Sequence, residues 1–320
     1  VQPTAGSTQG LLRLETALAD TVAMRAVLAR AGLPPDYVQA LDAGDASALA
    51  AIPLASRAWF YPGGGWVRPA VLARHQLAQA GSAAEFRGQA AVERLQRTAA
   101  STWQAFDAQE RLLAEADVLV LANAGDASRL LDLANWPLEH VRGQISQRSV
   151  RQGEHLPRVP VAGAGYLLPE IDGRMVFGAT SQPGDPDTAV RDGDHLFNIG
   201  QLARLTGRAP DMALDGLEGR TGFRCVAPDR LPVIGAVPDI PAATATTRPL
   251  DQPRRVPRVP GLFVFTALGS RGITWSALGG EVIASAITGS PSPLESSLLD
   301  AIDPARFMTR AVRHAAKTQG

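Results

Sequence analysis

Residues Phe265–Gly289, "FTALGSRGITWSALGGEVIASAITG", decide how the rest of the chain is read. The apolar run Leu262–Leu268, "LFVFTAL", stops at a loop in which Gly269, Ser270, Arg271 and Gly272 follow one another, and an apolar, helix-like segment comes next. A buried strand that turns through glycines into a buried helix gathers backbone N–H groups at one point. Glycine lets the backbone approach a neighbour closely, and the first N–H groups of a helix have no partner inside it. From the residues alone, an ordinary strand–helix turn fits equally, because Gly-rich turns are weak motifs.

Upstream, "DVLVLANAG" (Asp117–Gly125) is an acid followed by four apolar residues. That is too short for a helix and apolar on both faces, which predicts a buried parallel strand. Its end at Asn123-Ala124-Gly125 leads into "DASRLLDLA", with Asp126 or Ser128 as N-cap. Residues Ala84–Leu121 as a whole read as a β-meander. Nearer the start, Gly10–Glu15 is strand-like and Ala17–Ala31 helical up to Gly32. Leu41–Ala51 is a second helix candidate and Trp59–Tyr61 is extended. Pro62 and three glycines form a turn, and Pro69 opens a helix that ends at Gly81.

From Pro137 the texture changes. "VRGQISQRSV", "GAGYLLPEIDGRMVFGAT" and "GLEGRTGFRCVAP" are short extended runs, as in an antiparallel sheet, with a helix over Asp194–Gly207 between them. "DIPAATATTRPLDQPRRVPRVPG" (239–261) reads as a surface loop. The expected fold class is therefore α/β plus antiparallel β. Pieces of a dinucleotide-type domain (62–137 and 223–320) are interleaved with an antiparallel-sheet domain (1–61 and 138–222).

The 320 residues suffice for two ordinary cores. A 45% hydrophobic and 19% charged composition is that of a globular protein, and a formal net charge of zero leaves no global field to steer it to nucleic acid or membrane. Thirty arginines against one lysine, Lys317, reflect the codon bias of a GC-rich genome. The single cysteine, Cys225, excludes an internal disulfide and fits a reducing cytoplasm. No apolar run is long enough to span a membrane. "VQPTAGSTQG" lacks the regions of a signal peptide, and with a strand following at once it suggests that sequence upstream is missing.

"YPGGGWVRPAVL", "VLVLANAG", "VRGQIS", "GYLLP…FGAT", "RTGFRCVAPDRLPVIGAVPD" and "GLFVFTALGSRGITWSALGGEVIA" occur in the order seen in the glycine/D-amino-acid oxidase class of flavoproteins. Within it, the chain most resembles the C-terminal oxidase domain of the MnmC family, bifunctional enzymes that finish 5-methylaminomethyl-2-thiouridine at the tRNA wobble position. The resemblance covers essentially the whole chain and departs at one point. The Gly-rich strand–turn–helix that binds the FAD pyrophosphate in the family has no counterpart here: no G-x-G-x-x-G occurs. The resemblance thus implies an N-terminally truncated oxidase domain whose first βαβ unit lies outside this sequence.

The resemblance also implies a site. The cofactor is FAD. Backbone groups of Gly269, Ser270, Arg271, Gly272, Ile273 and Thr274 would face the flavin's pyrimidine edge. Asn123 and Gly125 would pass near its ribose and pyrophosphate, Gln144 would approach the flavin through its backbone, and Val92 would contact the adenine. Arg224, in "GFRC", would clamp the substrate carboxylate, with Arg220 as competitor, and Tyr166 would present its hydroxyl to the substrate. The residues alone also allow a surface ion pair for Arg224 and a packed strand tyrosine for Tyr166. The implied reaction oxidatively removes the carboxymethyl group from 5-carboxymethylaminomethyl-(2-thio)uridine in the tRNA anticodon arm and leaves the 5-aminomethyl nucleoside. Dioxygen is the electron acceptor and an upstream methyltransferase domain the partner.

For RNA, Arg306, Arg310, Arg313 and Lys317 have spacings that share one helix face, and Arg254, Arg255 and Arg258 add charge nearby. The alternative is a solvated terminal helix. Cys225 has no histidine beside it in sequence and reads as packing. The five histidines lack metal-ligand spacing, so no metal is expected. Two other functions stay open: a free glycine, sarcosine or D-amino-acid oxidase of the same fold, and a cofactor-free RNA-binding fragment.

Overall fold

The computed structural model describes residues 5–133 and 136–318. The chain divides into two units. Unit 1 takes Val1–Glu85, Arg142–Gln182 and Pro186–Gly222, and unit 2 takes Phe86–Val141, Pro183–Asp185 and Phe223–Gly320. This differs from the expected boundaries at residues 62–85, which cluster with unit 1, and at 138–141 and 183–185, which cluster with unit 2. Trp66–Val67 pairs with Gly6–Ser7, the Arg68 N–H donates to the Ala5 carbonyl at 2.7 Å, and a Cβ on Gly65 would lie 1.8 Å from the Ser7 oxygen. The three-glycine turn therefore serves close backbone packing inside unit 1.

Unit 1 is built on a largely antiparallel sheet. From strand Glu139–Ser149, the order runs through Arg174–Gly178, Tyr166–Leu167, Val161–Ala162, Leu11–Leu14 and Ala58–Tyr61 to Gln39–Leu41. Only Val161–Ala162 against Leu11–Leu14 is parallel among these pairs. Helices Thr21–Ala31 and Ala43–Ala50 start later than the sequence suggested, because Asp20 and Asp42 cap them by accepting from the N–H groups of Ala23 and Asp45. Leu12, Val161, Phe177 and Leu205 centre the core.

Part of this interior is polar. Along Glu139–Ser149 the inward positions are Arg142, Gln144, Ser146 and Arg148. Helix Asp192–Thr206 buries Asp194, His195, Asn198 and Gln201. Arg142 is saturated: it meets Asp194 at 2.6 Å, the Gln182 amide oxygen at 2.5 Å, and the carbonyls of Asp187 and Ala189 at 2.7 and 2.5 Å. A buried charge is tolerable when its partners are this complete.

Unit 2 carries a three-stranded sheet in the order Val233–Pro238, Arg258–Thr266, Leu119–Leu121. The first pair is antiparallel and the second parallel, so "DVLVL" supplies the parallel strand its apolar pattern requires. The meander follows as Arg94–Arg97, Trp103–Phe106 and Leu112–Ala116. Helix Gly272–Thr288 packs through Val282 and Ile283 on Ile234 and Phe263. Gly279 permits the approach, since a Cβ there would sit 2.5 Å from the Phe265 ring. The expected loop 239–261 is instead partly ordered: Asp239 caps a helix over Ile240–Ala245, Pro253–Arg255 is a 3-10 turn, and Arg258 already belongs to a strand.

Candidate active site

Thr266, the last residue of its strand, ties three chain segments of unit 2 together. Its hydroxyl donates to the Ala124 carbonyl at 2.7 Å and lies 3.7 Å from the Cys225 sulfur. The ends of strands Leu119–Leu121, Glu218–Val226 and Arg258–Thr266 therefore meet at one point. Val226 bridges to Leu268, and a Cβ on Gly269 would come 3.2 Å from the Val226 side chain. The signal for Thr266 was present in the sequence, as a hydroxyl closing an otherwise apolar run, but its role was not read.

The opening loop turns through left-handed backbone at Ala267 and Gly269, with φ of 57° and 55°. Gly269 thus meets a conformational demand as well as a spatial one. Gly272 does not: its φ is −55°, and a Cβ would meet nothing closer than Leu268 at 3.8 Å. The protein leaves room for a side chain at Gly272, so only a ligand there would require glycine.

Helix Gly272–Thr288 has 17 residues, no side-chain cap and no acid in its first turn. Ser270, Arg271, Ile273 and Thr274 at this end are exposed. An uncapped helix N-terminus presents unsatisfied N–H groups and the positive end of the helix dipole. That arrangement suits the negative charge that gathers on a reduced flavin's pyrimidine edge, so Gly272, Ile273 and Thr274 fit the ring end of FAD, whereas the expected Arg271 N–H is already given to the Leu268 carbonyl at 3.0 Å.

Val92 and Asn123 line one cavity of about 460 Å³ with Leu121, Asp126 and Arg129. Arg129 holds the Asp126 carboxyl below its usual range, and the bond from Arg129 Nε to Asp126 is 2.7 Å. Asp126 therefore spends its side chain on Arg129 and makes no capping bond to helix Ala127–Leu130, and Ser128 lies within that helix, its hydroxyl donating to the Gly125 carbonyl at 2.6 Å. Gly125 has a reason inside the protein: a Cβ would lie 1.6 Å from His140 Nε2, so that ring would have to swing away.

Arg224 is half-buried and, among the described residues, its side chain has neither a hydrogen-bond nor an ion-pair partner. It is two residues from Val226, the residue bridged to the glycine loop. Arg220 is exposed and falls in unit 1. Neighbouring Cys225 is 5% exposed and burial pushes its thiol up, which suits packing and not nucleophilic attack. Tyr166 is half-buried in unit 1, opposite Gly178.

Two expectations need correction. Gln144 offers no backbone to a flavin. It is fully buried, its N–H donates to Thr180 Oγ1 at 2.8 Å, and its carbonyl accepts from Asn198 and from the Thr180 N–H. The basic RNA face is not a continuous face either. Arg306 is 1% exposed and bonds both Asp229 oxygens at 2.9 and 3.0 Å, while Arg310 reaches Asp229 at 2.5 Å. Burial tends to raise the Asp229 carboxyl, but hydrogen bonds from Arg306 and Arg310 outweigh this and bring it down to about 2. Arg254, Arg255 and Arg258 pair with Asp300, Asp251 and Asp303. Arg313 is exposed, and the Lys317 side chain lies outside the described residues.

The family model for FAD dependent oxidoreductases (DAO) matches residues 3–286. The chain is 50% identical over 317 residues to the tRNA 5-methylaminomethyl-2-thiouridine biosynthesis bifunctional protein MnmC of Methylibium petroleiphilum, covering 94% of this chain and 47% of that protein. The counterpart in Burkholderia multivorans is 43% identical, with 97% and 47% covered. The chain thus spans about half the length of these curated relatives. Among solved structures, iminodiacetate oxidase from Chelativorans sp. BNC1 superposes with a TM-score of 0.72 at 23% identity over 93% of this chain and 76% of that one. Glycine oxidase from Geobacillus kaustophilus gives 0.71 at 23% identity over 94% and 76%; these two likenesses bear on the fold alone. A family match over most of the chain, together with a strand–glycine–helix junction suited to a flavin, leads to one conclusion: the chain belongs to the DAO family of FAD-dependent oxidoreductases.

Proposed function

We propose that the chain is the oxidase part of a tRNA wobble-uridine-modifying enzyme and removes the carboxymethyl group from 5-carboxymethylaminomethyl-(2-thio)uridine. The observation that carries this reading is Arg224, a half-buried guanidinium without a protein partner among the described residues, on a strand bridged to the glycine loop. The substrate arm is an N-substituted glycine and ends in a carboxylate, which a guanidinium binds through two parallel bonds. The relatives' name supplies the second support. 5-Methylaminomethyl-2-thiouridine is the 5-aminomethyl product plus one methyl group, the task of a methyltransferase partner in the longer protein.

When bound, FAD, the family's cofactor, would supply the two-electron oxidation of the substrate's carbon–nitrogen bond. Arg224 binds and orients the carboxylate. The N-terminus of helix Gly272–Thr288 stabilises negative charge where it collects. Val92, Asn123 and Gly125 would hold the nucleotide part of FAD, and Tyr166 would present its hydroxyl to the substrate. Water then cleaves the oxidised substrate imine to glyoxylate and the 5-aminomethyl nucleoside, and dioxygen takes the electrons on, in the cytoplasm where tRNA is modified.

The test is to supply the complete flavin-loaded protein with wobble-modified tRNA or with free glycine or sarcosine, following glyoxylate and the nucleoside's mass. Loss of the carboxymethyl mass from tRNA is expected. Turnover of the free amino acids with tRNA untouched would make the protein an amino-acid oxidase instead.

A further inference from the structure

Unit 1 holds a cavity of about 580 Å³ that the reaction above does not use. Half-buried Leu156 and Met212 form its apolar surface, backed by Leu167, Met175 and Leu202 of the core. Arg151, His155 and Arg208 stand exposed at its mouth.

The two carboxylates of the lining, Glu154 and Asp211, do not balance its three guanidiniums. Glu154 is committed to Arg148, which bonds both its oxygens, and it also accepts the Arg151 N–H at 3.0 Å. These bonds, Arg148 first, hold its carboxyl below the usual range. Among the described residues the Arg151 guanidinium hydrogen-bonds only the main-chain carbonyl of Asp211, at 3.3 Å. Arg208 has no hydrogen-bond or ion-pair partner for its side chain among the described residues. Arg148, 7% exposed in the wall, keeps an unsatisfied Nε–H. Arg148, Arg151 and Arg208 thus share the cavity with two carboxylates, Glu154 and Asp211, and among the described residues neither Arg151 nor Arg208 is ion-paired.

That combination calls for a ligand with a flat, weakly polar body and an oxygen-rich anionic group. Guanidinium forks match phosphate geometry, and an unstacked base can be held between apolar side chains. We propose that this cavity receives a nucleotide of the RNA substrate other than the reacting base, with its phosphate between Arg151 and Arg208 and its base against Leu156 and Met212. The assignment rests on the RNA reading of the preceding subsection. A free nucleotide offers the same chemistry, and the experiment separates the two.

In the complete flavin-loaded protein, R151A/R208A should leave oxidation of the minimal modified nucleoside unchanged. It should also lower the slope of log K for tRNA against log salt by about 0.8, the share of one neutralised phosphate at roughly 0.7–0.9. The charge-matched control R25A/R30A, on helix Thr21–Ala31, should keep the wild-type slope. An unchanged slope in R151A/R208A overturns the proposal, as does an equal fall in the control. Saturable binding of uridine monophosphate that is lost in R151A/R208A while the tRNA slope holds would assign the cavity to a free nucleotide and overturn the RNA source. Absence of tRNA binding by the wild-type protein would show that the RNA reading itself has failed.

Discussion

Arg306 and Arg224 are both arginines of unit 2, and they are used in opposite ways. Arg306 lies on helix Arg306–Thr318, 1% exposed, with its guanidinium on both oxygens of Asp229, on the carbonyls of Ile302, Asp303 and Leu231, and over the Phe307 ring at 4.2 Å. Arg224 is half-buried with no such partner among the described residues. A charge whose donors are all taken holds the fold together. One that is partly desolvated yet unspent is available to a ligand. In sequence the two look alike, and helical spacing favoured Arg306 as the one facing a partner.

The comparison can be broken by removing each in turn. The largest expected effect is on stability. Arg306→Ala strips Asp229 of its principal partner and should cost about 3 kcal/mol, the range for breaking one side of a buried pair, seen as a lower denaturant midpoint. A change below about 0.5 kcal/mol, the usual size for a surface site, would return Arg306 to the surface-face reading.

Arg224→Ala should leave that midpoint within about 0.5 kcal/mol. It should lower kcat/KM for a carboxylate-bearing amine tenfold or more, since a charge-assisted bond contributes about 1.5–3 kcal/mol. Unchanged kinetics in a folded, flavin-loaded protein would remove Arg224 from the substrate.

Acid titration sharpens the Arg306 side. The Asp229 carboxyl is depressed to about 2 from an ordinary 3.8. A depressed carboxyl stabilises the fold at pH above its unfolded value, and the contribution fades as pH falls through the folded value. About 2 kcal/mol should therefore be lost between roughly pH 5 and pH 2. Asp229→Asn should flatten that part of the pH–stability curve; an identical curve would show that the pair is not the source.

The smallest effect separates the two loop glycines. Gly269→Ala meets left-handed backbone and should cost about 1 kcal/mol without any ligand. Gly272→Ala has ordinary helical backbone and open space, so apo stability should hold while flavin affinity falls. Equal flavin retention by Gly272→Ala and wild type would leave the loop as a turn only.

Much of this was legible because the signals were local. Apolar runs of strand length, "DVLVL" and "LFVFTAL", produced the parallel pair of unit 2, and the Pro69 start and the Gly32 stop fell where their chemistry puts them. Strand Glu139–Ser149 was read as extended, but its inward face proved polar. Arg142 and Gln144 found partners some fifty residues away on helix Asp192–Thr206 and the segment before it, and alternation alone reads neither partner.

The ordered motifs by themselves determined the family, the flavin and the glycine junction, because glycine freedom, apolar period and chain order are written residue by residue. Which arginine is spent and which is free was decided only by tertiary structure. The Arg306–Asp229 bond spans 77 positions, and a charge's availability depends on what the rest of the chain folds against it.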